Sequence, residues 1–204
     1  GCEGTDHERM VEEIRAAGKP VEIIRIQELG GTSRAIQAGI DAAQRLVQEI
    51  SGLQRETVDI SEVVMAIKCG ASDTTSGMAS NCVIGYVADK LVDLGATVVF
   101  GETTEFLGGE HILAKRAVGG ENGPIGQKIY EIVDRMEKRA KSVGEDMRGG
   151  QPTPGNIAGG LSSIEEKSLG AIVKSGHRPI QGVLEYCDRV DGQKGLWIKD
   201  APGR

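Results

Sequence analysis

Long hydrophobic runs, aromatic residues and an excess of basic charge are all lacking in this sequence of 204 residues. No apolar run approaches the roughly 20 residues that cross a bilayer, so no membrane-spanning segment is predicted and no membrane partner is expected. Aromatic residues make up only 3% of the chain against 30 glycines, which predicts an aliphatic core joined by tight turns. The formal net charge is −6 and no basic stripe is present, so no nucleic acid partner is expected.

Paired cysteines and several catalytic signatures are also absent. The four cysteines are irregularly spaced and form no C-x-x-C pair, which argues against a disulfide framework or a zinc knuckle. The sequence contains no G-x-S-x-G elbow, no Walker P-loop and no G-x-G-x-x-G fingerprint, so it offers no support for those enzyme classes. The chain opens with Gly1, Cys2 and Glu3 instead of a leader peptide, and a cytoplasmic location is therefore expected.

Apolar runs alternate with helical periodicities, which predicts an α/β fold: a three-layer, mostly parallel sheet with helices on both faces. A single α/β domain over residues 1–204 is expected. Strands are predicted at residues 21–27, 63–67 and 96–100, and two more, antiparallel at an edge, at 182–186 and 195–198. Helices are predicted after Thr5 and at residues 33–50, 81–94, 110–118, 125–143 and 164–174, with a loop at 144–162.

Polar, glycine-rich loops follow the predicted strands. Such loops share the carboxyl edge of a parallel sheet, where ligands bind. Lys68 and Cys69 follow one strand, Glu102 and Glu105 follow the next, and His111 opens the helix after that. Oxygen ligands with one thiolate or imidazole suit Fe(II), Mn(II) or Zn(II), and oxygen alone suits Mg(II). The spacing does not choose between these metals, and purely structural roles for the same side chains remain an alternative.

Residues 154–170 join a polar, flexible segment to an abrupt helix start. Gly159 and Gly160 allow close backbone approach, and Asn156 contributes an amide. Two overlapping capping boxes are predicted, Ser162 with Glu165 and Ser163 with Glu166. Free N–H groups at such a helix start favour an anionic ligand.

Taken together, these segments resemble the altronate and galactarate dehydratase family of sugar-acid lyases, to which the large subunit of (2R)-sulfolactate sulfo-lyase also belongs. Five segments in order carry the resemblance: residues 1–3, 27–32, 68–77, 102–111 and 154–170. Because known members begin before this chain and continue past it, the chain is expected to be a central portion of a longer dehydratase large subunit.

The resemblance implies a β-elimination that is typically iron-dependent, with Fe(II) as the expected metal and Mn(II) or Mg(II) as alternatives. A metal would stabilise the enediolate formed when the C2 proton of a 2-hydroxy acid is removed. From their chemistry, Cys69, Glu102, Glu105 and His111 are candidate metal contacts, and Lys68 or His111 is the candidate proton carrier. The candidate substrate-binding residues are Ser72, Asp73, Asn156, Gly159 and Gly160.

Sugar-acid dehydration is the favoured activity, and two alternatives stay open. Sulfolactate sulfo-lyase activity is one, since Lys68 and residues 72–77 and 108–111 resemble that branch of the family. A non-catalytic α/β binding or assembly domain is the other. The expected partners are a small hydroxy acid, a small partner subunit or domain, and further copies of the chain in a homo-oligomer.

Overall fold

The computed structural model describes residues 6–201 and falls into two compact units, Gly1–Thr57 and Val58–Arg204. The sequence predicts one domain over residues 1–204, whereas each of these units makes its contacts mainly within itself. Among the described residues, no helix is both long enough and apolar enough to cross a membrane.

The first unit contains two helices, α1 (His7–Ala16) and α2 (Thr32–Ser51). Helix α1 begins after Asp6, whose carboxylate accepts a hydrogen bond from the N–H of Arg9 at 3.0 Å; the predicted cap, Thr5, lies outside the described residues. The strand predicted at residues 21–27 is wrong. A strand requires a hydrogen-bonded partner, and the described part of this unit holds two helices with no second extended segment beside it.

Helix α2 is confirmed, but its larger apolar side chains are exposed. Ala35 and Ala42 are its buried residues, whereas Ile36, Ile40 and Val47 remain in contact with solvent. The helix was predicted from this apolar stripe. Periodicity thus identifies the helix correctly, but only the alanine side of α2 is buried.

The second unit is built on a parallel sheet with strand order β1-β2-β4-β3. The strands are β1 (Val64–Ile67), β2 (Thr97–Phe100), β3 (Ile180–Leu184) and β4 (Gly195–Lys199). The predicted α/β fold with a parallel sheet flanked by helices is confirmed. The antiparallel arrangement predicted for the last two strands is wrong: β3 and β4 pair in parallel, and β4 lies in the interior of the sheet beside β2. The local sequence pattern does not encode this long-range pairing.

Five helices accompany the sheet: α3 (Asn81–Asp93), α4 (Glu110–Arg116), α5 (Pro124–Ser142), α6 (Pro154–Ala158) and α7 (Ile164–Ile172). Four of them confirm predicted helices. Helix α6 corrects the predicted loop at 144–162. It forms because Thr153 caps the N–H of Asn156 while the Asn156 side chain accepts from the N–H of Thr153, which satisfies two donors that a helix start otherwise leaves open.

The core of the second unit lies between the sheet and its helices. Phe100 at the end of β2 and Phe106 just beyond it are fully buried, with ring centroids 5.7 Å apart. Helix α5 contributes Ile129 and Ile132, as its periodicity predicts, and β4 contributes Leu196 and Ile198 on alternate positions. Burial of this aliphatic and aromatic surface anchors β1 and β2, whose carboxyl ends carry the predicted site residues.

Candidate active site

The loops after β1 and β2 meet directly. Because the two strands are parallel neighbours with Ile67 opposite Phe100, the residues that follow them lie side by side. The N–H of Cys69 donates to Oε2 of Glu102 at 2.7 Å, and Nζ of Lys68 lies 3.4 Å from Oε1 of Glu102. Both carboxylate oxygens of Glu102 are therefore engaged, one by each residue of the neighbouring loop.

Glu102 adopts an unusual backbone conformation, with φ of 65°. The Cβ atom makes this left-handed region unfavourable, and residues other than glycine are found there where the surrounding structure holds them in place, often at functional sites. Here the hydrogen bond from Cys69 and the ion pair with Lys68 hold the carboxylate, which is 10% exposed. Two residues of the neighbouring loop thus fix the position of the Glu102 carboxylate, and its role as a metal contact stays a prediction.

The Cys69 thiol lies among the same groups. Its Sγ is 3.4 Å from the hydroxyl oxygen of Ser72. Burial, together with the negative charge of the nearby Glu105 carboxylate, raises the pKa of this thiol above its ordinary value, while the Ser72 contact and the positive charge of Lys174 oppose that shift. The thiol is therefore protonated at neutral pH, and in this state it is a weak hydrogen-bond donor.

Glu105 forms a buried ion pair that sequence reasoning missed. Its Oε2 lies 3.3 Å from Nζ of Lys174, and the two side chains are 9% and 4% exposed. The ammonium of Lys174 also lies over the Phe100 ring, 6.0 Å from its centroid. In the sequence, Lys174 is simply the last residue of a predicted helix. Its burial follows from the turn Val173–Ser175, which continues α7 into the interior.

These loops and α7 enclose a cavity of about 210 Å³. The loops after β1 and β2 supply four of its polar side chains, Lys68, Cys69, Glu102 and Glu105, and α7 supplies Lys167. The remaining lining residues are Gly70, Thr104, Met147, Gln151 and Ile164. This cavity, called the charged cavity below, therefore combines two carboxylates, two lysines and a thiol. It lies at the carboxyl edge of a parallel sheet, where ligands bind in this class of fold.

The predicted substrate contacts on α6 have structural partners. The Asn156 amide nitrogen donates to the carbonyl of Ser72 at 2.9 Å, and its Oδ1 accepts from Nζ of Lys167 at 3.2 Å. The N–H groups of Gly159 and Gly160 both donate within the same turn, to the carbonyls of Gly155 and Ile157. The free N–H groups on which their predicted role depends are therefore engaged.

The two glycines instead allow a close packing contact. A Cβ on Gly159 would lie 2.8 Å from Cβ of Asp73, and one on Gly160, where φ is +96°, would lie 2.4 Å from the Thr74 hydroxyl. Thr74 in turn donates its N–H and its hydroxyl to the carbonyl of Gly159. The glycine pair thus lets the α6 segment dock on the loop after β1.

Ser72 and Asp73 line a second cavity, of about 360 Å³, between that loop and α7. Lys167 lines this cavity as well as the first. The N–H of Ser76 and the hydroxyl of Thr75 donate to the Asp73 carboxylate and hold its pKa below the usual range. This carboxylate is exposed and closes its own turn, and the role of both residues in substrate binding stays a prediction.

The remaining predicted residue, His111, is exposed at the start of α4 and does not line the charged cavity. Nowhere in residues 6–201 do three His, Cys, Asp or Glu side chains form a group that could hold a metal ion. Glu102 is instead engaged by Lys68 and Cys69, and Glu105 by Lys174. The described residues thus do not by themselves fit a metal.

Comparison with known families agrees with this architecture. Residues 60–204 match the model described as D-galactarate/altronate dehydratase, C-terminal, which is more than half of the chain. This chain belongs to the galactarate and altronate dehydratase family. Residues 1–51 match a second model, described as D-galactarate dehydratase/altronate hydrolase, second domain. The two matches therefore meet near the boundary between the two structural units, Thr57 and Val58.

Individual relatives within the family have different names. The beta subunit of (2R)-sulfolactate sulfo-lyase from Chromohalobacter salexigens is 43% identical over 95% of this chain and 49% of its own length. The L-threo-forming galactarate dehydratase of Escherichia coli strain K12 is 36% identical over 99% of this chain and 39% of its own length. Altronate dehydratase of Bacillus subtilis strain 168 is 32% identical over the whole chain and 39% of its own length. The chain thus spans half or less of each of these relatives.

Proposed function

We propose that this chain carries active-site residues of a lyase that dehydrates a sugar acid, such as altronate or galactarate, to a 2-keto-3-deoxy acid by β-elimination. The observation that carries the proposal is the charged cavity, in which Lys68, Cys69, Glu102 and Glu105 converge from two neighbouring strand ends. Relatives that bear the names of galactarate and altronate dehydratases support the substrate class.

The cavity contains the kinds of group that a β-elimination requires. Removal of the C2 proton needs a base and positive charge near the substrate carboxylate, and departure of the 3-hydroxyl needs an acid. We assign the acid role to the Lys68 ammonium, which is 57% exposed, and the base role to the Glu102 carboxylate, which lies beside it in the same cavity. Because Glu102 pairs with Lys68 and Glu105 pairs with Lys174, the two carboxylates add no net negative charge against an anionic substrate.

His111 takes no part in this proposal, because it lies outside the cavity. Lys68 is therefore the proposed proton carrier of the two that the sequence suggests.

Iron, with manganese or magnesium as alternatives, is retained as a proposal about the whole protein. Cys69 and Glu105 are the two donors that lie close together, and a complete ligand set would need groups that residues 6–201 do not bring to them. No step of the mechanism is derived through a metal.

Elimination of sulfite from (2R)-sulfolactate is the second candidate function. A specific observation favours it, since the identity to the sulfo-lyase subunit, 43%, exceeds the 36% and 32% found for the two dehydratases. Sulfite leaves without being protonated, so this reaction needs an anion-binding cation more than an acid. The name of that relative also supports a partner subunit as part of the assembled enzyme.

The decisive experiment is an assay of the protein, purified without oxygen in the presence of Fe(II), against altronate, galactarate and (2R)-sulfolactate. A 2-keto acid formed from either sugar acid without sulfite supports the proposed dehydration, and sulfite release supports the second candidate. Bound metal is measured on the same preparation and tests the iron proposal separately. A protein that turns over none of the three acids argues for the non-catalytic role.

A further inference from the structure

Three lysine ammonium groups lie in or beside the charged cavity, and two of them are neutralised by carboxylates. Lys68 pairs with Glu102 and Lys174 pairs with Glu105, at nitrogen to oxygen distances of 3.4 and 3.3 Å. Because each pair contributes one positive and one negative charge, together they leave no net charge in the cavity. The cavity's net charge therefore depends on the third lysine.

The third lysine, Lys167, is held by neutral groups only. Its Nζ donates to Oε1 of Gln151 at 2.8 Å and to Oδ1 of Asn156 at 3.2 Å. Within residues 6–201, no carboxylate lies at ion-pair distance from it. An ammonium group has three N–H donors, so two are engaged by amide oxygens and one is left for a ligand. The half-buried side chain lines the cavity. Its positive charge is therefore partly removed from water, and no carboxylate of the described residues pairs with it.

We propose that Lys167 is the group that binds the carboxylate of the 2-hydroxy acid substrate, with its ammonium held in place by Gln151 and Asn156. An anionic ligand would supply the negative charge that Lys167 lacks among the described residues. A half-buried ammonium also forms stronger hydrogen bonds with a carboxylate than an ammonium in bulk water does. Because it concerns how the substrate is held, this inference rests on the proposed function. Asn156 then acts through Lys167.

Two variants test the charge of Lys167 in different ways. Lys167→Met removes the ammonium and keeps most of the side-chain length. Gln151→Glu keeps every atom position of Gln151 except for the exchange of nitrogen for oxygen, and places a carboxylate on the ammonium. Both variants are expected to weaken acid binding by about 10- to 100-fold, the effect of losing one charge-assisted hydrogen bond. Lys138→Met is the matched control, since that lysine is exposed on α5 and pairs with Asp134.

The readouts are KM and kcat for galactarate, altronate and (2R)-sulfolactate, together with calorimetric binding of the same acids in the full-length protein. A rise in KM and in Kd for Lys167→Met and Gln151→Glu, with Lys138→Met unchanged, supports the inference. Values within about twofold of the wild type for both variants would overturn it. If the wild type turns over none of the acids, the proposed function fails alone, and calorimetry still decides: binding lost in both variants supports Lys167, and no binding to the wild type overturns it.

Discussion

Lys68 and Lys174 each pair with a glutamate of the loop after β2, at nearly the same distance, yet one lysine is 57% exposed and the other 4%. The Lys68 ammonium of the first pair is open to solvent, whereas the second pair is enclosed beside the Phe100 ring. The energetic consequence of breaking an ion pair depends on this difference far more than on distance. The comparison therefore favours the proposal that the exposed pair takes part in the chemistry, and it predicts that the buried pair supports the cavity.

The largest expected effect is on stability, from Lys174→Met. It leaves the Glu105 carboxylate buried without a counter-charge, so the free energy of unfolding should fall by about 3–5 kcal/mol. Urea denaturation followed by circular dichroism measures this change. The double variant Lys174→Met with Glu105→Gln should recover a large part of the loss, because a neutral amide is less costly to bury than a lone charge. A loss no greater for Lys174→Met than for Lys68→Met would break the comparison.

The next effect is on catalysis, from Lys68→Met. If the exposed pair supplies the proton, kcat for the turned-over acid should fall by about 100-fold, equivalent to roughly 2.7 kcal/mol of transition-state stabilisation. The free energy of unfolding should fall by less than in Lys174→Met, because the Glu102 carboxylate, although only 10% exposed, keeps its hydrogen bond from the N–H of Cys69. Steady-state kinetics and urea denaturation on one preparation test both statements. Unchanged kcat would remove Lys68 from the proposed chemistry.

The sequence predicts where these charged groups lie in the fold better than it predicts how deeply they are buried. Lys68 and Glu102 were identified because a β-branched run ends just before each loop, and parallel strands bring their carboxyl ends together. The sequence does not predict the burial of Lys174, because that burial results from the turn after α7 entering the interior. No local sequence pattern indicates such a turn. The chemistry of His111 predicts a role in the site, but its side chain lies outside the cavity.

Long-range pairing limits the prediction of the fold in the same way. Helix α5 was predicted well, since its apolar period and the buried Ile129 and Ile132 agree. The segment 21–27 is predicted as a strand and forms none, while the local pattern of β3 and β4 predicts the wrong relative direction. In each case the deciding factor is a hydrogen-bonding partner distant in sequence. The same holds for Lys167, whose partners Gln151 and Asn156 give it a role that its position in a helix does not.

The smallest expected effect concerns the Cys69 thiol, which lies between the two ion pairs. Its N–H binds Glu102, but the charge that raises the thiol pKa is that of Glu105. Glu105→Gln should therefore lower the thiol pKa, since it removes the nearby negative charge and leaves the positive charge of Lys174. Glu102→Gln should leave it unchanged. The rate of iodoacetamide alkylation at Cys69, followed by mass spectrometry as a function of pH, measures the thiol pKa.

In the unaltered protein, the alkylation rate at Cys69 should keep rising with pH beyond the ordinary pKa of a thiol, because only the thiolate reacts. The exposed Cys82 serves as an internal control for the amount of active reagent. Equal shifts of the thiol pKa in Glu105→Gln and Glu102→Gln would mean that both carboxylates affect the thiol equally. The distinction between an exposed and a buried pair would then not extend to Cys69. A shift from Glu105→Gln alone would show that the buried pair controls the pKa of the Cys69 thiol, although the Cys69 N–H is bonded to Glu102 of the exposed pair.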